Sequence, residues 1–227
     1  MYKSAIAYDE ATVFYFDAIG NKYVAQGGTL VWRINNPGLV QSRSRFAGKN
    51  KAIGSYKGFA IFPNPQRGRQ ALIDFLKAKK HSRSTLKTIS KHYQPTHSEE
   101  YLFKLSTLTG IADNRKISSL SNEEFHRLLI SLEKLCGYAP IGDEKLLLLP
   151  KIYAHIESCN PIEKDAYLIE GNVSLSKEET IQWISTHRLD GVIVHQEDGN
   201  THIRSRPSRC MWNIHIPENR SRSGQDK

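Results

Sequence analysis

The sequence predicts an α+β protein built from two modules, and three observations carry that reading. Alternating apolar and aromatic residues run through ATVFYFDAIGNKYVAQ. Helical apolar stripes follow between about residues 68 and 137, and hairpin-like patterns return after about residue 160.

Taken in order, ATVFYFDAIGNKYVAQ reads as a β-hairpin turning at Asp17–Asn21, and Gly27-Gly28 punctuates it. TLVWRI reads as a further short strand, closed by the tight loop Asn35-Asn36-Pro37-Gly38. There proline fixes its own φ and Gly38 tolerates a positive one, in which case a side chain at Gly38 would cost stability. A basic stretch from Arg43 to Lys51 precedes YKGFAIFPNP, a short strand ended by two prolines. From Gly68 to Lys79 the positions Ala71, Leu72, Phe75 and Leu76 form a helical stripe. Thr85–His92 reads as a short helix stopped before Pro95, because the residue before proline avoids the helical region. Ser98–Leu108 is another helix with Ser98 as its expected N-cap, ending at Gly110. Ser121-Asn122-Glu123-Glu124 has the form of a capping box, and Phe125, Leu128, Leu129, Leu132 and Leu135 continue its apolar face to Gly137. Residues 85–137 are thus expected to be mainly helical.

The pattern is irregular from Gly137 to Asn160, which places the module boundary there. Beyond it, DAYLIEG and VSLS form an expected hairpin and KEETIQWISTHR a helix. GVIVHQEDGNTHIRSR forms a second hairpin turning at Asp198-Gly199-Asn200. The expected organisation is a module over 1–137, a small α+β module over 138–216, and a polar, disordered tail over 217–227.

At 227 residues, with 39% hydrophobic and 24% charged residues, the chain can bury its cores without disulfides or metals. No apolar run approaches a bilayer span, and MYKSAIAYDE does not read as a signal peptide, which predicts synthesis in the cytoplasm. Cys136, Cys159 and Cys210 are odd in number and too widely spaced for a CxxC site. They are read as plain thiols. No HExxH pattern or zinc spacing is present, so neither metal nor cofactor is expected.

Charge is unevenly placed. Residues 1–92 hold 16 Lys and Arg against four acids, Asp9, Glu10, Asp17 and Asp74, a net of +12. Residues 93–227 hold 16 against 19, a net of −3. The basic part would draw a polyanion, either nucleic acid or an anionic cell wall, by steering and counterion release. The bland alternative is a solvated basic surface.

Trp32-Arg33-Ile34-Asn35-Asn36-Pro37-Gly38, then Ala52-Ile53-Gly54, Gly58-Phe59-Ala60-Ile61-Phe62-Pro63, Gly68, Ala71-Leu72 and Tyr93-Gln94-Pro95 share order and spacing with WRNNNPGN, GAIG, GFAVFP, GxxAL and YAP. This stretch, about residues 12–137, resembles a bacterial and phage module of lysozyme-like and phage structural proteins. Ile34 and Leu39 stand where that module has asparagines, and Thr96-His97-Ser98-Glu99 shortens its acidic ENDT stretch. Asp190-Gly191-Val192-Ile193-Val194-His195, Gly199 and Ile203-Arg204-Ser205-Arg206-Pro207 resemble a second small module reading DGVVVH and YLRSRP, which brings no chemistry with it.

The first resemblance implies a mainly helical, lysozyme-like module with β-hairpins. Its implied function is binding of the peptidoglycan glycan strand, with hydrolysis by a muramidase-type glycosidase if the module is active, as in a phage-associated enzyme or an antibacterial effector toxin. Partners would then be peptidoglycan or another polyanion, a secretion apparatus that delivers the protein, and an immunity or adaptor protein. Glycosidase chemistry needs a protonated carboxylic acid at the leaving oxygen. Glu10, upstream of the Asn-Pro-Gly loop as in flagellar-type glucosaminidases, is the first candidate; the bland reading is an exposed turn carboxylate. Glu99 is its rival, although a glutamate at a helix start more often stabilises the helix dipole. Trp32, Tyr56 and Phe59 are candidate sugar-stacking faces, although aromatics at alternating strand positions are more often core. Arg33, Asn35 and Asn36 are candidate polar contacts to the ligand, the asparagines alternatively forming the loop through side-chain-to-backbone hydrogen bonds. His92, His97 and His195 are generic proton carriers only. No GxSxG elbow, P-loop or GxGxxG is present. A nucleic-acid-binding protein or His-based nuclease using the basic half, and a non-catalytic adaptor, are the alternatives.

Overall fold

A computed structural model describes residues 1–78, 83–138, 147–158, 165–171, 173–197, 199–205 and 212–216. Cys159, Cys210, Asp198, the Arg206-Pro207 end of the second resemblance and the expected tail over 217–227 lie outside the described residues. The chain forms two compact units, Met1–Leu147 and Leu148–Lys227.

The first unit opens with a sheet ordered β1 (Ser4–Ala7), β2 (Thr12–Phe16), β3 (Lys22–Gln26) and β6 (Leu147–Leu148). β2 is the hairpin arm richest in β-branched and aromatic residues, and Thr12 to Tyr15 are all buried, as a central strand requires. The turn into β3 is held by Asp17. Its Oδ1 accepts from the backbone of Ile19 and Asn21, and its Oδ2 accepts from the Asn21 side chain at 2.9 Å.

The expected strand TLVWRI is instead a helical turn, α1 (Leu30–Arg33). Gly27 and Gly28 both take positive φ, 76° and 56°, which breaks the extended path. The Thr29 side chain then accepts the Trp32 N–H as an N-cap. Helix α2 (Arg45–Lys49) follows, capped by Ser44. YKGFAIFPNP supplies a hairpin rather than a lone strand: β4 (Gly54–Tyr56) and β5 (Phe59–Ile61) turn through Lys57-Gly58, both at positive φ, 47° and 86°. Two positive φ values in a two-residue loop match the right-handed strand twist.

Four helices complete the unit: α3 (Pro65–Lys77), α4 (Leu86–Tyr93), α5 (Ser98–Thr109) and α6 (Asn122–Leu135). Asn64, Thr85 and Ser121 cap α3, α4 and α6 through their side chains, with reciprocal capping boxes on α4 and α6. α5 departs from expectation, because His97 rather than Ser98 occupies its cap position and no side chain bonds there. Apolar faces of these helices meet in one cluster around Leu72, Leu76, Leu86, Ile89, Leu105, Leu128 and Leu132. The sheet has its own cluster, around Val13, Tyr15, Ala25, Ile34 and Ile61.

This overturns the expected mainly helical, lysozyme-like module. The described chain is 37% helix and 26% strand, with several small antiparallel sheets. The helical run over 85–137 is present, but residues 1–61 bury a separate sheet core, so the unit is mixed α/β and not a helical module carrying decorative hairpins.

The second unit has a sheet ordered β12 (Trp212–Ile216), β7 (Ile152–Ser158), β8 (Ala166–Ile169), β9 (Val173–Ser176), with β12 parallel to β7. Helix α7 (Lys177–Ser185) starts in a Ser176–Glu179 capping box, and β10 (Val192–His195) pairs with β11 (Thr201–Arg204). Its core gathers Ile152, Tyr167, Ile169, Leu175, Leu189 and Ile203. β7, IYAHIES, falls in the stretch read as irregular, since its polar positions mask the alternation.

Candidate functional site

The loop Asn35-Asn36-Pro37-Gly38 joins the sheet half of the first unit to α3. Asn35 takes φ 51°, a left-handed value that asparagine tolerates. Its Nδ2 donates to the Tyr15 hydroxyl and to the Phe62 carbonyl, each at 3.1 Å. The Tyr15 hydroxyl donates to the Arg33 carbonyl at 2.5 Å. Asn36 is wholly buried: Nδ2 donates to the carbonyls of Val40 and Ala60, and Oδ1 accepts the Val40 N–H. Asn36 therefore holds the loop to β5 and does not face solvent, the second of the two roles its sequence context allowed.

Arg33 is also turned inward. Its Nη1 donates to the carbonyls of Gly27 and Gly28 and its Nη2 to the Glu10 carbonyl, at 2.5 to 2.6 Å. The guanidinium clamps the β3–α1 turn to the β1–β2 turn.

Above this buried network lies an open groove of about 290 Å³. Tyr15 and Asn35 form its floor, Tyr2 and Trp32 offer half-buried rings, and Pro63 to Pro65 form a wall. Tyr2 packs 5.0 Å, centre to centre, from both Tyr15 and Tyr23. Three residues singled out in the sequence, Trp32, Arg33 and Asn35, thus converge on one concavity. Tyr56 and Phe59 are outside its lining; they face each other across the β4–β5 hairpin and pack on the sheet cluster. Tyr2 was missed, because an aromatic at the second position of a chain has no pattern around it.

The two candidate acids lie elsewhere. Glu10 is exposed and accepts from Lys57 Nζ at 2.6 Å, and that ammonium holds its carboxyl below the ordinary value. A general acid working near neutrality needs the opposite shift. Glu99 is exposed at the start of α5, 3.6 Å from Lys87 Nζ. Glu133 on α6, which carried no sequence signal, is buried, and burial pushes its carboxyl up against the opposing pull of Arg69. The Arg69 guanidinium meets it side-on, Nε 2.7 Å from Oε1 and Nη2 donating to Oε2 at 2.9 Å. Cys136, near the end of the same helix, is pushed up to about 12 by burial, so its thiol is not a nucleophile at neutral pH.

The histidines are dispersed in role. His97 sits at the α5 cap beside Thr96, His195 contacts Thr201 in β11, and His92 packs on Phe75. Among the described residues, no three His, Cys, Asp or Glu side chains cluster as metal ligands would. Among the described residues, too, no helix is long and apolar enough to cross a membrane. Comparison with protein-family models, curated proteins and solved structures returned no match.

Proposed function

We propose that the first unit binds the glycan strand of peptidoglycan in the groove between Tyr2, Trp32 and the Pro63–Pro65 wall. One observation carries the reading: Trp32, Arg33 and Asn35 of the WRNNNPGN-like pattern meet Tyr2 at one concave, ring-lined surface over a hydrogen-bonded floor. Pyranose rings present apolar faces that stack on aromatic side chains, and a preorganised floor lowers the ordering cost of binding. The proposal is binding rather than cleavage. Glu10, exposed and ion-paired, lacks the environment of a general acid.

Co-sedimentation with purified sacculi tests it, coupled to analysis of released muropeptides. The wild-type chain and Glu10→Gln should sediment equally. Trp32→Ala and Tyr2→Ala should each reduce retention by about tenfold or more while far-UV circular dichroism is unchanged. Retention of both groove variants at wild-type level would sink the reading. Release of muropeptides by wild type, abolished in Glu10→Gln, would restore hydrolysis and overturn the assignment of Glu10 as a surface carboxylate.

A further inference from the structure

The basic residues of the first unit are not spread evenly. An open groove of about 500 Å³ runs beside α2 and α3, with Arg45, Lys49 and Lys77 on its rim and Phe46 in its wall. A narrower crevice of about 170 Å³ shares Phe46 and continues past Phe75 to His92 and Tyr93. Ring contacts link the two. Phe46 meets Phe75 edge-on at 5.9 Å, Phe75 meets His92 at 5.0 Å with 34° between planes, and His92 meets Tyr93 edge-on at 5.5 Å. Phe46 and Phe75 are half-buried and His92 is exposed, so the row is accessible from solvent.

The charge here is available to a ligand. Asp74 is the acid of the groove, and it is consumed internally: Oδ2 accepts from Asn50 and Lys49 at 3.0 Å, and Oδ1 accepts from Gln70 at 3.1 Å. Among the described residues neither Arg45 nor Lys77 has an ion-pair partner, and the Arg45 guanidinium lies 4.9 Å over the Phe46 ring. Cations on the rim with stackable rings along the wall form the arrangement that holds single-stranded nucleic acid, where phosphates meet the cations and unpaired bases meet the rings. A neutral sugar would use the rings and leave the cations idle, whereas a duplex would hide its base faces from them.

We propose that this groove is a binding site for single-stranded nucleic acid, separate from the glycan groove and independent of that reading. Fluorescence anisotropy of a labelled oligodeoxythymidine with the full chain tests it, alongside a duplex of equal length. Three results are expected. The single strand binds at low salt and loses affinity steeply as salt rises. Arg45→Gln/Lys77→Gln weakens it by about tenfold or more without lowering the melting temperature. Phe46→Leu, which keeps apolar bulk, weakens the single strand and leaves the duplex unaffected. The proposal is overturned if the oligonucleotide does not bind at low salt, or if the double variant binds like wild type. It is also overturned if single strand and duplex bind equally and Phe46→Leu changes neither, since that is charge without base recognition. Failure here leaves sacculus retention untouched, so the two proposals stand or fall apart.

Discussion

Asn36 and Gly38 show how a loop that looks like a recognition element can be scaffold. With no solvent exposure and three hydrogen bonds to backbone groups, Asn36 closes a turn and pins it to β5. Its replacement by Ala leaves the Val40 N–H and two carbonyls without their partner. The expected cost is about 2 to 3 kcal/mol of unfolding free energy, read as a lower midpoint in urea, with glycan binding unchanged per folded molecule. Normal stability would mean water repairs all three bonds. Gly38 could tolerate a positive φ, but the positive values fall on Asn35 and Leu39 instead. Its glycine is required for a different reason: a Cβ would stand 2.8 Å from Leu72 Cβ on α3. Turn chemistry is visible in four letters of sequence, but the approach of a helix from 34 residues away is not.

Among the elements, α3 packs against both the helix cluster and the Asn35–Gly38 loop of the first unit. Its Gly68 lies against the Asn35 carbonyl and Pro37, so an added Cβ would collide with rigid backbone rather than with a movable side chain. Gly68→Ala should destabilise by about 3 kcal/mol and, by shifting Asn35, reduce sacculus retention more than its loss of folded fraction explains. Thermal melts set beside sedimentation decide this. α3 also sends Arg69 to Glu133 on α6. Burial raises the Glu133 carboxyl above its ordinary value despite Arg69, so folding disfavours its charged form relative to the unfolded chain. Its contribution to stability is complete below the unfolded value and is lost as pH rises through the folded one. Stability of wild type relative to Glu133→Gln should therefore be greatest in acid and decline toward neutral pH, measured as urea midpoints across that range. A rise instead would show that the Arg69 pair outweighs desolvation. The helix periods and the capping box at Ser121 were legible in the sequence, because both signals are local. The Arg69–Glu133 pair was not, as its partners are 64 residues apart.

At the scale of the molecule, each core cluster among the described residues is made from one unit alone: the sheet and helix clusters from Met1–Leu147, the third from residues after Leu148. Residues 1–147 expressed alone should therefore fold cooperatively, giving one sigmoidal thermal transition and retaining both grooves. A broad, non-cooperative melt would show that the second unit is needed to complete the first. The sequence by itself determined the β2–β3 hairpin, the helices over 85–137, the basic N-terminal field and the order of elements from β8 to β11. Each of these follows from spacing or charge within a short window, where covalent connectivity already places the residues together. Only the tertiary structure decided that TLVWRI is a helical turn, that Arg33 and Asn36 face inward, and that Glu10 is paired with Lys57. It also decided that Tyr2 joins Trp32 at a groove and that Phe46, Phe75 and His92 align beside Arg45 and Lys77. These depend on which hydrogen bonds and burial the rest of the chain supplies to a segment, and such terms of a few kcal/mol outweigh local preferences worth a fraction of that.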